Sequence, residues 1–418
     1  MSQACQSTID FQNIMKATTL FDLSSGFLIV FPSDEGNYAT MQEVLAELNR
    51  HPDKRYVGCI QKEIESEVVA AIDQLTRDKE DFVTFLVQRD NLPRFSGWVQ
   101  AEVTSFICSV SFFSRLVSSV DGGHPEKWAY RLLEMIYDME IAPGYIEIQQ
   151  IPYIARPAAD VTGVHFNTVL PHRGLLSDLK VCLHSLMNNR YENLSVDVCL
   201  DEKISKEALC DLKASFPTVR FSAVCPAAAG PYVIRQLLID RLGGQHILYQ
   251  DSDDIATSDR VRTIASSLSD GCLVGSHELR FDQVNGCIYA VRYPLDVTHA
   301  LNSKVAFPLL HSTSSLSVVD FQRIGGYSTD RAFANDTQFL YRCFFFVKIL
   351  NVDEFLYIRK VHNRSLTTDV NHPLEQGVRL SLSTQWKADF EATKDEPQNL
   401  DNSSLAVVRK AGFSLLDI

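Results

Sequence analysis

The chain has 418 residues, room for two to three domains with substantial interiors at ~100–200 residues each. Hydrophobic residues make up 45% and charged residues 22%, which excludes a disordered or fibrous chain. The formal net charge of −13 removes any general attraction to nucleic acid or anionic lipid, so an anionic ligand must be held locally. The most apolar run, Leu340 to Ile358, is broken by Arg342, Lys348, Asp353 and Glu354, against the ~20 apolar residues a crossing helix needs. Met1 to Phe21 lacks the basic start and apolar stretch of a secretory leader, so the expected location is the cytoplasm, the inner face of the membrane included. The ten cysteines are scattered without a Cys-x-x-Cys pair, and Cys182, Cys199 and Cys343 sit in apolar runs. They read as buried hydrophobes rather than disulfides or zinc ligands.

In chain order, Leu28-Ile-Val-Phe-Pro-Ser-Asp-Glu35 is a strand running into an acidic turn. After it come Val57-Gly58, the segment Ser109 to Ser111, a helix with Tyr130-Arg131 and a strand with Tyr153-Ile154. From residue 165 the pattern becomes regular. The strand His165 to Leu170 leads through the turn Pro171 to Gly174 into a helix with Leu175, Leu176, Leu179, Leu183 and Leu186 at helical spacing. Leu194 to Leu200 is a strand ending on Asp201-Glu202. Lys206 to Ser215 is a helix, Val219 to Val224 a strand, Val233 to Leu242 a helix and His246 to Gln250 a strand. This alternation predicts an α/β fold, a parallel sheet covered by helices, with ligands bound beyond the carboxyl ends of its strands.

The landmarks of the first 160 residues then recur. Ile247-Leu-Tyr-Gln-Asp-Ser-Asp-Asp254 lies over Leu28 to Glu35, and Val274-Gly275, Ser315 to Ser317, Tyr341-Arg342 and Tyr357-Ile358 follow in the same order. In the first copy Pro32 stands for Asp251, Pro125 for Asp336 and Ala158 near His362, and of the acids Asp34 alone remains.

Asp251-x-Asp253-Asp254 follows directly on an apolar strand. Two carboxylates one residue apart on an extended segment can converge on one hard cation that bridges the oxygens of a diphosphate, although Asp and Ser also simply form turns.

Residues 164 to 368 resemble a family 2 glycosyltransferase of the GT-A fold. The resemblance rests on Val169-Leu170-Pro171-His172-Arg173 after the first strand and on Asp201-Glu202 after the second. It also rests on Arg235 in the helix before Asp251 and Asp253, on Gly325-Gly326-Tyr327 followed by Asn335-Asp336, and on Arg359, His362 and Ser365. The resemblance implies a nucleotide site at Pro171, His172, Arg173, Asp201, Arg235 and Ser252, with Asp201 reading the base and Arg235 on phosphate or ribose. It implies Mn²⁺ or Mg²⁺ held by Asp251, Asp253 and His362, and Asp336 as the general base for an acceptor hydroxyl. The chain departs from the family at His172-Arg173, where an aromatic and Asn are usual, and at Asn335, where Glu is common. It also lacks a Gln-x-x-Arg-Trp motif, which argues against processive synthesis.

The expected organisation is a degenerate GT-A-like half-domain at 1–160 that packs, binds acceptor or dimerises, a GT-A glycosyltransferase domain at 161–384, and a helix with a loose tail at 385–418. The expected activity is inverting transfer from a nucleotide-diphosphate sugar, a UDP-sugar first, to a glycan, lipid-linked or protein acceptor. A homodimer is one possible assembly, and nucleic acid is not an expected partner. The alternatives are a non-catalytic GT-A-like binding or scaffold protein and a nucleotidyltransferase. Against the latter, no Gly-rich basic phosphate loop follows the first strand.

Overall fold

A computed structural model describes residues 28–31, 57–59, 82–88, 92, 97–103, 105–109, 128–138, 146–151, 163–331, 333–364 and 377–418. In its amino-terminal part, β1 (Leu28–Phe31), β2 (Val57–Cys59), β3 (Val83–Gln88), β4 (Val99–Glu102) and β5 (Ser105–Cys108) precede helix α1 (Trp128–Asp138) and β6 (Ile146–Ile151). A five-stranded sheet runs β2-β1-β5-β3-β6, while β4 leaves it to join the second sheet.

The second sheet opens with β7 (Phe166–His172), α2 (Leu176–Met187), β8 (Leu194–Leu200), α3 (Lys206–Ser215), β9 (Arg220–Cys225), α4 (Pro231–Ile239) and β10 (His246–Tyr249). These four strands are parallel in the order β9-β8-β7-β10. The alternation read from the sequence is therefore the parallel core of the sheet. The chain builds outward from β7 to β9 and then returns to β7's other edge. That reversal opens a crevice at the carboxyl ends of β7 and β10. β7 runs on through Pro171-His172 instead of turning there. Beyond Val169 it pairs with β8 alone, so a residue without an N–H is accommodated on the open side. The sequence marks the helix starts: Ser205 accepts from the Ala208 N–H at α3, and Gly230 (φ 86°) precedes Pro231 at the first position of α4.

The chain continues through β11 (Ile255–Ala256), α5 (Arg260–Ala265), β12 (Cys272–Asp282), β13 (Cys287–Arg292), α6 (Val297–Asn302), β14 (Ser315–Ser317), α7 (Val318–Ile324), α8 (Asn335–Cys343) and β15 (Lys348–Val361). It ends with α9 (Gly377–Asp395) and β16 (Ser414–Asp417). These strands extend the sheet as β11-β15-β12-β14-β10, with β13 paired to both β12 and β4. Among the described residues no helix is long and apolar enough to cross a membrane.

The two sheets share a strand pattern. In the first, β1-β5-β3-β6 are joined by antiparallel, antiparallel and parallel pairings, and β10-β14-β12-β15 in the second have the same senses and the same chain order. The structure corrects one landmark of the sequence repeat. Val57-Gly58 lies on β2, beside β1, and the strand that corresponds to β12 and its Val274-Gly275 is β3. The modules meet through β4 and β13, which pair antiparallel from Val99↔Arg292 to Glu102↔Tyr289. Beneath that pairing one core joins Phe85, Phe106, Leu132 and Ile136 to Leu279, Phe281, Ile288 and Phe355. Pro32, Asp34, Pro125, Ala158 and Ser365 lie outside the described residues.

The carboxyl end is not loose. α9 starts at Gly377 rather than near 385, and Trp386 on it is 1% exposed, with its indole N–H on the Ser404 carbonyl. Gln338 and Arg342 of α8 donate to the carbonyls of Ser404, Leu405 and Ala406, and β16 pairs antiparallel with β9. A charged composition concealed this, because the residues that dock, Trp386, Phe390, Leu400 and Leu405, are spread singly among polar ones. Trp386→Ala should cost about 3–5 kcal/mol of stability through cavity formation, read as a lowered urea midpoint. An unchanged midpoint would mean that the strap does not hold α8.

Candidate active site

At the crevice, β10 ends in Gln250, Asp251, Ser252, Asp253 and Asp254. The strand end is fixed from below by Arg260, fully buried, which donates to the carbonyls of Tyr249 (2.7 Å) and Ser312 (2.9 Å) and to the Gln250 side chain. Burial pulls its guanidinium down to about 10, leaving it charged at neutral pH.

The three acids have different partners. Asp251 is ion-paired with Arg235 of α4, whose side chain is 4% exposed. Asp253 is hydrogen-bonded to His362 Nε2, just beyond β15, at 2.9 Å. Asp254 is buried and accepts from the Tyr357 hydroxyl (2.6 Å) and the Lys360 N–H (2.7 Å), while Tyr357 in turn accepts from the Asp251 N–H (3.2 Å). Burial, followed by the charges of Asp253 and Asp251, pushes the Asp254 carboxyl well above the usual carboxylate range. Burial also opposes ionisation of Asp253, but the His362 hydrogen bond and charge outweigh it and hold its carboxyl below the ordinary value. From the amino-terminal module, Tyr137 of α1 donates to the Asp253 carbonyl at 2.7 Å.

On the opposite wall His172 is buried with Nδ1 2.9 Å from Ser252 Oγ, and its Nε2 has no partner. Burial lowers its pKa, so the imidazole is neutral at pH 7. Pro171 is half-buried and Arg173 exposed at the rim. Asp201 is turned inward: at 4% exposure its two carboxylate oxygens accept the Ala229 (2.7 Å) and Gly230 (3.0 Å) N–H groups. Expected to read a base, it instead fixes the turn that starts α4, and so the helix carrying Arg235 and Tyr232.

Asp336 sits in the first turn of α8, beside the Tyr232 hydroxyl. Burial first and the nearby Asp336 charge second push the Tyr232 hydroxyl well above its ordinary value, so it stays protonated. The Arg235 guanidinium lies 5.9 Å from the Tyr232 ring centroid and is itself ion-paired with Asp251. Asn335, the departure from the family's Glu, is buried and ties the preceding loop together, donating to the carbonyls of Ser328 (2.8 Å) and Arg331 (2.9 Å). The Gly325-Gly326-Tyr327 turn needs its glycines: at Gly326 (φ +67°) a Cβ would lie 2.5 Å from Gln236 Oε1.

The expected convergence of Asp251, Asp253 and His362 is only partly seen. Asp253 and His362 meet, while Asp251 faces Arg235, and among the described residues no group of three or more His, Cys, Asp or Glu side chains converges. A carboxylate and an imidazole nevertheless fit a divalent cation that completes its shell with the oxygens of a bound diphosphate. Sequence reasoning missed Tyr232, Tyr357 and Tyr137. Each lies on an apolar helix or strand where a tyrosine reads as core.

No family model and no curated protein matches the chain. Among solved structures, S. aureus TarS 1–349 is 13% identical over 47% of this chain and 60% of that one, with a TM-score of 0.37. Its complex with UDP-GlcNAc is 14% identical over 57% and 75%, with a TM-score of 0.41. GalNAc-T7 with UDP, GalNAc and Mn²⁺ is 14% identical over 58% and 52%, with a TM-score of 0.43. The chain thus spans less than two thirds of the first TarS structure. Similarity this low assigns no activity, which rests on this chain's own side chains.

The Asp253–His362 pair has a pH signature. A depressed carboxyl contributes stability that is full above the ordinary carboxylate pKa and is lost as pH falls through the folded value, below about 4. In His362→Ala, Asp253 should titrate at higher pH and the acid-side gain in stability should shrink, as followed by carboxyl NMR. An unmoved Asp253 titration would show that His362 does not hold it.

Proposed function

We propose that the chain is a metal-dependent inverting glycosyltransferase of the GT-A type, taking a nucleoside-diphosphate sugar, a UDP-sugar first, and passing the sugar to an acceptor hydroxyl. The observation that carries this reading is the meeting, at the strand-order reversal of a parallel sheet, of Asp253 with His362 and of Asp251 with Arg235.

In this reading Asp253 and His362 hold Mn²⁺ or Mg²⁺ on the diphosphate. The cation, when bound, neutralises charge on the leaving group as the glycosidic bond breaks. Arg235 supplies a fixed positive charge at the phosphates and keeps Asp251 in place. His172 and Ser252 line the donor side, with Pro171 and Arg173 at its rim. The acceptor oxygen attacks the anomeric carbon from the face opposite the diphosphate, the bond to the β-phosphate oxygen breaks, and Asp336 takes the acceptor's proton. Tyr232, kept protonated beside that carboxylate, is the neighbour that would donate to it. The amino-terminal module has no catalytic part here, and it supports the site through Tyr137.

A second reading, a non-catalytic binding or scaffold protein of the same fold, is favoured by Asp251 facing Arg235 rather than joining Asp253 and His362. Two variants separate the readings. Asp253→Ala should abolish the Mn²⁺-dependent part of UDP affinity in calorimetry, and equal affinity with and without Mn²⁺ in the unaltered protein would remove the metal from the scheme. Asp336→Asn should keep donor affinity but lose about 10²–10⁴ in transfer rate. Donor bound without turnover in either protein, across a broad donor and acceptor panel, would favour the binding protein.

A further inference from the structure

The sheet that carries Tyr357 continues away from the acids as β15-β12-β13-β4, and its two faces differ in chemistry. Side chains alternate across a strand, and the register aligns Tyr357 with Glu278, Arg280 with Tyr289, and Tyr289 with Glu102. The face opposite this set is apolar, with Leu279, Phe281, Ile288 and Ala290 in the core beneath the amino-terminal module.

The near face is polar and aromatic. Glu278 is fully buried, and its Oε1 accepts from Arg280 (2.8 Å) and from the Tyr293 hydroxyl (2.9 Å). Among the described residues its Oε2 has no partner, which is costly for a buried carboxylate oxygen and marks a place for a donor from a ligand. Arg280 lies 5.9 Å from the ring centroid of Trp98, which is 40% exposed. Trp98 stands just before β4, on the strand that the amino-terminal module lends to this sheet. Arg359 stands level with Arg280 on β15; burial opposes its charge, and the charges of Glu278, Asp254 and Asp251 outweigh that and keep its guanidinium charged.

We propose that this face is an acceptor subsite for a carbohydrate, with Trp98 as the stacking platform. A pyranose has an apolar face of C–H groups and a rim of hydroxyls. An exposed indole covers the first, and a carboxylate with an arginine binds the second. The face runs from Tyr357, buried against Asp251 and Asp254, to the exposed Trp98, so a sugar on Trp98 sits on the same sheet face as the acids. The proposal deepens the glycosyltransferase reading and rests on it, and it gives the amino-terminal module a part in choosing the acceptor.

The test is saturation-transfer NMR on the full chain without donor. The probes are methyl glycosides of glucose, galactose, mannose, N-acetylglucosamine and N-acetylgalactosamine, and the corresponding disaccharides. At least one should receive saturation on its ring protons, and Trp98→Ala should weaken that binding by about tenfold or more. Trp98 is exposed, so the variant should fold, and its affinity for UDP with Mn²⁺ should stay within about twofold. Trp98→Phe should restore part of the sugar signal. Sugar binding unchanged in Trp98→Ala, or no binding by any probe, overturns the subsite. Because UDP affinity is read separately, UDP binding without sugar binding rejects the subsite alone. Sugar binding without any UDP binding instead rejects the transferase reading on which the subsite rests.

Discussion

The buried carboxylate of Asp254 organises the site. It is buried, so its two oxygens have to be satisfied by directed donors, and these come from one strand: the Tyr357 hydroxyl and the Lys360 N–H of β15. Tyr357 also receives the Asp251 N–H, which locks the turn after β10 onto β15 at a fixed height. His362 follows that strand by one residue, so the same contact that satisfies Asp254 brings His362 to Asp253. Lys360 completes the arrangement with a buried ion pair to Asp178 of α2 at 2.8 Å. An acid outside the Asp-x-Asp pair thereby sets the distance between the pair and its histidine.

The amino-terminal module bears on this centre from two directions. α1 brings Tyr137 onto the Asp253 carbonyl, with its ring 4.0 Å from Lys360 Nζ. β4 extends the second sheet and adds Trp98 to its polar face. Both contacts follow from the one apolar core that the two sheets share, since Phe281 packs on Tyr130 and Tyr137 while sitting on β12. The equivalent strand orders of the sheets make β4 and β13 counterparts, and they pair with each other. The modules are thus joined through corresponding strands, which closes one edge that would otherwise invite another chain.

How much of this was legible in the sequence depends on the range of the interactions. The parallel core could be read because each strand, buried on both faces, is a short apolar run, and each helix repeats leucine or valine at helical spacing. The acids could be picked out because they stand directly after such strands, whereas the Gly-Gly-Tyr turn and the arginine of α4, which follow or lie within helices, were marked only by the family resemblance. The strand order and the correct counterpart of β12 could not, because pairing joins segments far apart in the chain and a three-residue match such as Val57-Gly58 carries too little pattern.

The sequence by itself determined the alternation of strands and helices and the presence of carboxylates at the strand ends, since both follow from local periodicity and composition. Only the tertiary structure decided what each carboxylate faces. It turned Asp201 inward onto two backbone N–H groups, set Asp251 against Arg235, gave Asp253 to His362 and buried Asp254 beneath Tyr357. The four acids have the same chemistry and similar local sequence. Their different roles come from partners 16 to 109 positions away, which no local pattern encodes.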